Sequence, residues 1–161
     1  MSNKPFTHLD DDGRAHMVNV DEKPITLRRA RARAVVMMSP ETAQAIRTVE
    51  LDKGDALAVS RLAGILGAKR TADLIPLCHS LPLDHVSVEF DVLEDRVTIE
   101  TEAVCHGKTG VEMEALTAAT TAALTLYDMA KARDRAMIIS EVMLLEKSGG
   151  RSGHWQRDGH G

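Results

Sequence analysis

Val86-Ser87-Val88-Glu89-Phe90-Asp91-Val92 alternates apolar with polar residues, and after Glu94-Asp95-Arg96 the run Val97-Thr98-Ile99-Glu100-Thr101 begins the alternation again. Period two over both runs predicts two half-buried strands, and the charged break between them predicts a hairpin. What flanks the hairpin decides the fold. Upstream, residues 25–37 alternate as well. Arg29, Arg31 and Arg33 interleave with Ala30, Ala32 and Ala34, so one face of a strand carries guanidinium groups. Ser39-Pro40-Glu41 then starts a helix that reaches about residue 49. Ser caps, Pro sits where its missing N–H costs nothing, and the acid meets the helix dipole. Lys53-Gly54-Asp55 breaks the chain before a second helix over 55–70, in which Gly64 and Gly67 mark close packing. Residues 71–85, with Pro76 and Pro82, read as a loop. Downstream, 111–132 is the longest helical stretch, and 136–146 reads as a last strand. The order β-α(α)-β-β-α-β predicts an α+β, ferredoxin-like split βαβ fold, an antiparallel sheet with helices packed on one face. The other face then needs cover, and a partner subunit is the natural supply.

The chain has 161 residues, which fits one domain with short tails. We expect a flexible N-terminal lead over 1–14, a single catalytic domain over 15–147 and a Gly-rich flexible tail over 148–161. A net charge of −4 lacks the footprint of a duplex-DNA binder. Aromatic residues at 2% argue against a base-stacking platform for single strands. The start has no apolar signal core, and no apolar run approaches the length of a membrane span. Cytoplasmic residence, with Cys78 and Cys105 as reduced thiols, is the expectation.

Three groups of residues could carry chemistry. Asp128 and Lys131 are three apart on the longest helix. Alone they read as a solvated i,i+3 ion pair, but a helix apolar on nearly every side is buried, and buried charge is seldom idle. Glu112 and Glu114 open the same helix, where acids favour the dipole. Glu114 and Asp128 fall within about 40° of each other around the helix but about 21 Å apart along it. A compact ligand cannot meet both within one chain, so the ligand is long or different subunits combine these ends. The second group is Leu77-Cys78-His79. Cys78-His79 and Cys105-His106 invite a zinc reading, but neighbours in extended chain point opposite ways and no C-x-x-C spacing exists. A loop His serving as acid, base or phosphate donor is the better reading. The third group is cations beside Gly, at Lys53-Gly54, Gly107-Lys108-Thr109-Gly110 and Lys147-Ser148-Gly149-Gly150-Arg151. Backbone N–H groups exposed by Gly, with Lys or Arg added, suit a polyphosphate. Arg28, Arg29, Arg31 and Arg33 read as a solvated face, a subunit contact or an anion site.

Several strings resemble the MoaC family of molybdenum cofactor biosynthesis. They are Lys108 to Ala119 (KTGVEMEALTA), Asp73 to His79 (DLIPLCH), Gly64 with Ala68-Lys69-Arg70-Thr71, Leu126 to Met129 (LYDM), and Lys147 to Gly153 (KSGGRSG). His16-Met17-Val18 is similar to the family's entry segment, and the resemblance covers about 14–153. It implies a cyclic pyranopterin monophosphate synthase, a lyase. Such an enzyme converts (8S)-3′,8-cyclo-7,8-dihydroguanosine 5′-triphosphate to cyclic pyranopterin monophosphate and releases pyrophosphate. It implies a homohexamer, a trimer of dimers, with active sites at subunit interfaces. It implies no cofactor, no catalytic metal, and no nucleic-acid or membrane partner.

By the same resemblance Asp128, Lys131, Lys53 and His79 are catalytic. Leu77, Cys78, His79, Glu112, Met113, Glu114 and Lys147 bind substrate, with Arg28 and Lys69 as weaker candidates. A desolvated lysine beside Asp128 would serve as acid and base. Two positions depart from the family pattern: Ser80 stands where Pro is usual, and Asn19 where Asp is frequent. The competing class is a non-enzymatic nucleotide-binding regulatory oligomer, or an inactive paralogue, which needs the cationic loops but not Asp128 beside Lys131.

Overall fold

The computed structural model describes residues 12–159. Of the expected N-terminal lead, 1–11 lie outside the described residues, as do the last two residues of the tail. Strand β1 spans Thr26–Met37, and helices α1 (Pro40–Arg47), α2 (Ala56–Lys69) and α3 (Thr71–Leu74) follow. The hairpin is β2 (Leu83–Val92) and β3 (Arg96–Gly107). Helix α4 is Glu112–Ala130, and β4 (Ile138–Ser148) and β5 (Trp155–Gln156) close the order. The sheet runs β2-β3-β1-β4-β5 and every pair is antiparallel. α4 packs on β1, β3 and β4, and α2 packs on α4 and β2, so the helices share one face. The α+β, ferredoxin-like expectation holds.

Local chemistry explains these elements. Ser39 Oγ accepts the Thr42 N–H at 3.2 Å, and the Asp134 carboxylate accepts the Ser39 N–H at 2.9 Å. The Asp55 carboxylate caps α2 through the Ala58 N–H at 2.9 Å. On β1, Ala30, Ala32 and Ala34 are fully buried under the helices. The alternate residues form cross-strand ion pairs: Arg29–Glu102 at 3.0 Å, Arg31–Glu100 at 2.9 Å and Arg33–Glu100 at 2.6 Å. Partial burial pulls the Glu100 carboxyl up, but bonds from Arg33 and Arg31 outweigh it and hold it below the usual range. The guanidinium face is therefore neutralised within its own sheet.

The core is aliphatic, built around Val36, Val97, Ile99 and Leu126. α4 contributes mostly alanines to it, so α2 approaches α4 closely. A side chain at Gly64 would meet Ala118 O and Val88 Cγ2 at 3.0 Å, and one at Gly67 would meet Thr121 Oγ1 at 2.5 Å. Gly64→Val should therefore destabilise by roughly 1–3 kcal/mol, as overpacking does, and lower the urea midpoint with m unchanged. A midpoint equal to wild type would show that α2 can slide freely on α4.

Three boundaries differ from the sequence reading. The expected loop over 71–85 holds the helical turn α3 and the first residues of β2. The last strand runs through Ser148, not Glu146, so Lys147 stands on a strand. Glu141 adopts φ 52°, and the β1–β4 register shifts between Arg33 and Val35 and again between Arg31 and Ala32. Each irregularity resets the alternation, which hides the strand's end. Within the tail, Trp155 and Gln156 pair with Lys147 and Glu146 as β5, a two-residue strand too short to show a period.

Candidate active site

The residues singled out from the sequence gather at the two ends of α4. Its 19 residues separate the groups by about 28 Å of helix.

At the C-terminal end, Asp128 is clasped by two lysines. Lys131 Nζ lies 2.7 Å from Oδ1, and Lys53 Nζ lies 2.7 Å from Oδ2 and 2.9 Å from the Asp128 carbonyl. Lys53 reaches across because its loop is pinned: Leu51 is buried, and Gly54 N–H returns to Leu51 O at 2.9 Å. Arg133 donates to Glu50 O at 3.4 Å and lines a 370 Å³ hollow with Lys53; nothing in the sequence pattern marked it. Hydrogen bonds from Lys131 and then Lys53 hold the Asp128 carboxyl down at about 2, and Asp128 in turn raises the Lys131 ammonium. Here the expectation of a desolvated pair fails. The side chains of Asp128 and Lys131 are 54% and 51% exposed. α4 is not buried all round: Leu124, Asp128 and Lys131 follow one exposed line at helical spacing. In a single chain Asp128 is an anion and Lys131 a cation, ready to give a proton rather than take one.

At the N-terminal end two cavities adjoin. A slot of 640 Å³ is lined by Leu77, Cys78, His79, Met113 and Glu114, together with Val18 and Val20. A basin of 520 Å³ is lined by Lys23, Arg28, Lys108, Lys147 and Arg151. Lys23 and Glu112 belong to both, and Lys147 Nζ pairs with Glu112 Oε1 at 2.9 Å between them.

Within the slot, Glu114 is 4% exposed. Burial, then the neighbouring Glu112 charge, push its carboxyl up to about 7 against its own backbone N–H. Burial, then Glu114, raise the Cys78 thiol, so it is a poor nucleophile. Burial, then Glu114, push Cys105 up to about 11. Cys105 is buried while His106 is exposed and paired to Asp84 at 2.8 Å, so these neighbours face opposite ways. His79 Nε2 lies 2.9 Å from Val18 O.

In the basin, Arg28 is 8% exposed. Its partners are the carbonyls of Gly107 and Lys108, both at 3.4 Å. Gly150, at φ 67°, leaves room for the guanidinium, which any side chain there would strike. Thr26 Oγ1, on the same wall, is buried and has no hydrogen-bond partner among the described residues. A buried guanidinium with donors to spare and a hydroxyl beside it both offer hydrogens that the oxygens of an anion would accept. Arg28, grouped from the sequence with Arg29, Arg31 and Arg33, is in phase with Ala30, Ala32 and Ala34 instead and faces inward. Arg151 was marked by its Gly-flanked loop, whereas Lys23 carried no comparable signal. Lys69 is exposed and lines neither cavity. Of the three cationic loops, the two after β3 and β4 meet here, and the Lys53 loop does not.

The family departures are mild in place. Asn19 Oδ1 accepts the Asp21 N–H at 2.8 Å, a turn that Asp would form equally well. Ser80 is exposed.

The MoaC family model matches residues 17–150. The chain belongs to the MoaC family. It is 57% identical over 153 residues to cyclic pyranopterin monophosphate synthase 1 of Mycobacterium tuberculosis, covering 94% of this chain and 90% of that one. It is 56% identical over 154 residues to the cyclic pyranopterin monophosphate synthase of Chloroflexus aurantiacus, covering 94% of each. The enzyme of that name from Peptoclostridium acidaminophilum is 50% identical over 153 residues, covering 95% and 98%. This MoaC-family chain thus matches its relatives across both ends of α4, and its function is in molybdenum cofactor biosynthesis. No helix among its described residues is long and apolar enough to cross a membrane.

Proposed function

We infer that this chain catalyses the reaction for which its relatives are named. It converts (8S)-3′,8-cyclo-7,8-dihydroguanosine 5′-triphosphate to cyclic pyranopterin monophosphate and pyrophosphate, as a phosphorus–oxygen lyase of the cytoplasm. The observation that carries this reading is the adjoining pair of cavities, a mostly apolar slot opening onto a cationic basin. A purine-derived heterocycle fits the first and a polyphosphate the second.

In the slot, Leu77 and Met113 flank the heterocycle, and Cys78 offers a neutral thiol. Glu114 is half protonated near neutral pH and gives or takes one hydrogen bond at the ring edge. His79 moves a proton there. In the basin, Arg28, Lys23 and Arg151 hold phosphate oxygens, and Lys147 exchanges Glu112 for them. Closing the cyclic phosphate requires a substrate hydroxyl to attack the α-phosphorus while pyrophosphate leaves, and these cations stabilise the charge that develops.

Lys53, Asp128 and Lys131 stand at the far end of the same helix, so they complete the site of a neighbouring subunit. Docking there removes water from the cluster, which turns the exposed Lys131 into the desolvated acid and base the ring rearrangement needs. A homohexamer, a trimer of dimers, supplies such interfaces. Val59, Leu62 and Leu66 form an exposed apolar stripe on α2 that suits one.

Purified protein given the cyclic nucleotide triphosphate should release one pyrophosphate per cyclic phosphate formed. Asp128→Asn should lower turnover by roughly 10²–10⁴-fold, the range of a lost acid–base group, and leave substrate affinity nearly unchanged. Substrate binding without pyrophosphate release by the wild-type oligomer would favour the regulatory or inactive reading.

A further inference from the structure

Segment 15–24 supplies Val18, Val20 and Lys23 to the wall of the slot and is tied down from two different loops. His79 Nε2 meets Val18 O at 2.9 Å, and Lys108 Nζ donates to Asp21 O at 2.9 Å. Only Asn19 and Val20 stand between the two tethered carbonyls. That span is folded by its own bonds. Asn19 Oδ1 accepts the Asp21 N–H at 2.8 Å, and Val20 O accepts the Lys23 N–H at 3.0 Å. A turn this short and this well bonded moves as one piece, so a pull at Asp21 is felt at Val18.

A carbonyl oxygen only accepts, so Nε2 of His79 carries the hydrogen. In the neutral ring the lone pair is then on Nδ1. We propose that Lys108 is a positioning residue for His79. By holding Asp21 it fixes the 18–21 turn, whose Val18 carbonyl keeps the imidazole in its Nε2–H tautomer and leaves Nδ1 as the proton-accepting atom. The kinetic half of this proposal rests on the function inferred above. The tautomer half concerns the unliganded chain and stands without it.

The test uses the full chain labelled with ¹⁵N-histidine, with the His79 ring signals assigned by their loss in His79→Gln. At alkaline pH, where the rings are neutral, wild type should show His79 as the Nε2–H tautomer. Lys108→Met should move it toward an averaged mixture, and Lys108→Arg, which can still donate to Asp21 O, should restore it. Asn19→Ala undoes the turn without touching either tether and should reproduce the averaging, even if Lys108→Met does not fold. A pure Nε2–H pattern in whichever of these two variants folds overturns the proposal.

In turnover, Lys108→Met should lower kcat about tenfold, a part of the roughly 10²–10⁴ that acid–base catalysis supplies. In a His79→Gln background the same change should cost less than about twofold, because the two residues act as one unit. A tenfold loss persisting in that background would mean that Lys108 acts on the phosphates directly, and would also overturn the proposal. If wild type releases no pyrophosphate at all, the inferred reaction fails while the ring spectra still decide the tether.

Discussion

Mixing Lys131→Ala subunits with His79→Gln subunits should restore turnover that neither variant has alone. Each variant by itself should lose roughly 10²–10⁴-fold in kcat, because in the proposed reaction each removes a group that moves a proton. The restoration follows from where these residues stand on α4. Lys131 lies just beyond the helix's C-terminal end and His79 lines the slot at its N-terminal end, too far apart for one ligand in one chain. A site built from the slot of one subunit and the lysine cluster of another is wholly wild type when the slot comes from a Lys131→Ala chain and the cluster from a His79→Gln chain. Random co-assembly makes about a quarter of the sites intact, so recovery should approach a quarter of wild-type turnover. The measurement is pyrophosphate release after co-expression of differently tagged chains and isolation of the mixed oligomer. No recovery in a mixed oligomer would place each complete site within a single chain.

The second large effect is on stability, and its sign is set by Glu114. The carboxyl has an ordinary value of 4.5 when exposed and about 7 in the fold. Below the first value both states hold the proton, and the folded chain has the full benefit of a neutral buried group. Between the two values the unfolded chain releases its proton and the folded chain does not, so stability falls as pH rises. Above about 7 the loss is complete, and a displacement of this size corresponds to about 3 kcal/mol. Glu114→Gln keeps the shape and cannot ionise. Its urea midpoint should match wild type near pH 4 and exceed it at pH 8. An unchanged gap between the two proteins across that range would show that Glu114 does not carry the proton. Asp128 works in the opposite direction. Its lowered carboxyl favours the folded state above about 4, and that advantage is lost as pH falls through about 2. In the single chain it is an exposed contribution and salt should screen it.

Much of this was legible in the residues. Alternation through Val86–Thr101 and through β1 gives the hairpin and its neighbour. Ser39-Pro40-Glu41 and Asp55 announce two helices, and the strand–helix order then leaves few topologies. The separation of Glu114 from Asp128 also follows from helical rise alone, and it already leaves two readings, a long ligand or ends combined from different subunits. What was hidden has physical reasons. The Glu141 irregularity resets the period, so the end of β4 and the setting of Lys147 could not be read. Two residues cannot display alternation, so β5 was invisible. The burial of α4 was overread, because alanine and threonine are tolerated on either face and only Leu124, Asp128 and Lys131 reveal the exposed line. The basin depends on three loops distant in sequence, so only its Lys108 and Lys147 segments carried a signal. The union of Lys53 with Asp128 rests on a loop closure that no local pattern encodes.

The fifth strand has a bearing on how the molecule behaves in a crowd. A sheet that ends in a bare strand can recruit further copies side by side and grow into insoluble polymer. One rim here is β4, which exposes Ile138 and Val142 along part of its length. The kink at Glu141 breaks that stretch, so no straight template is on offer. Beyond it, Trp155 and Gln156 occupy the pairing positions of Glu146 and Lys147, with the Arg157 guanidinium 5.7 Å from the indole ring centre. The chain thus covers the Glu146–Lys147 end of its own rim with a patch borrowed from its tail, which leaves a newcomer a shorter bent stretch to pair with.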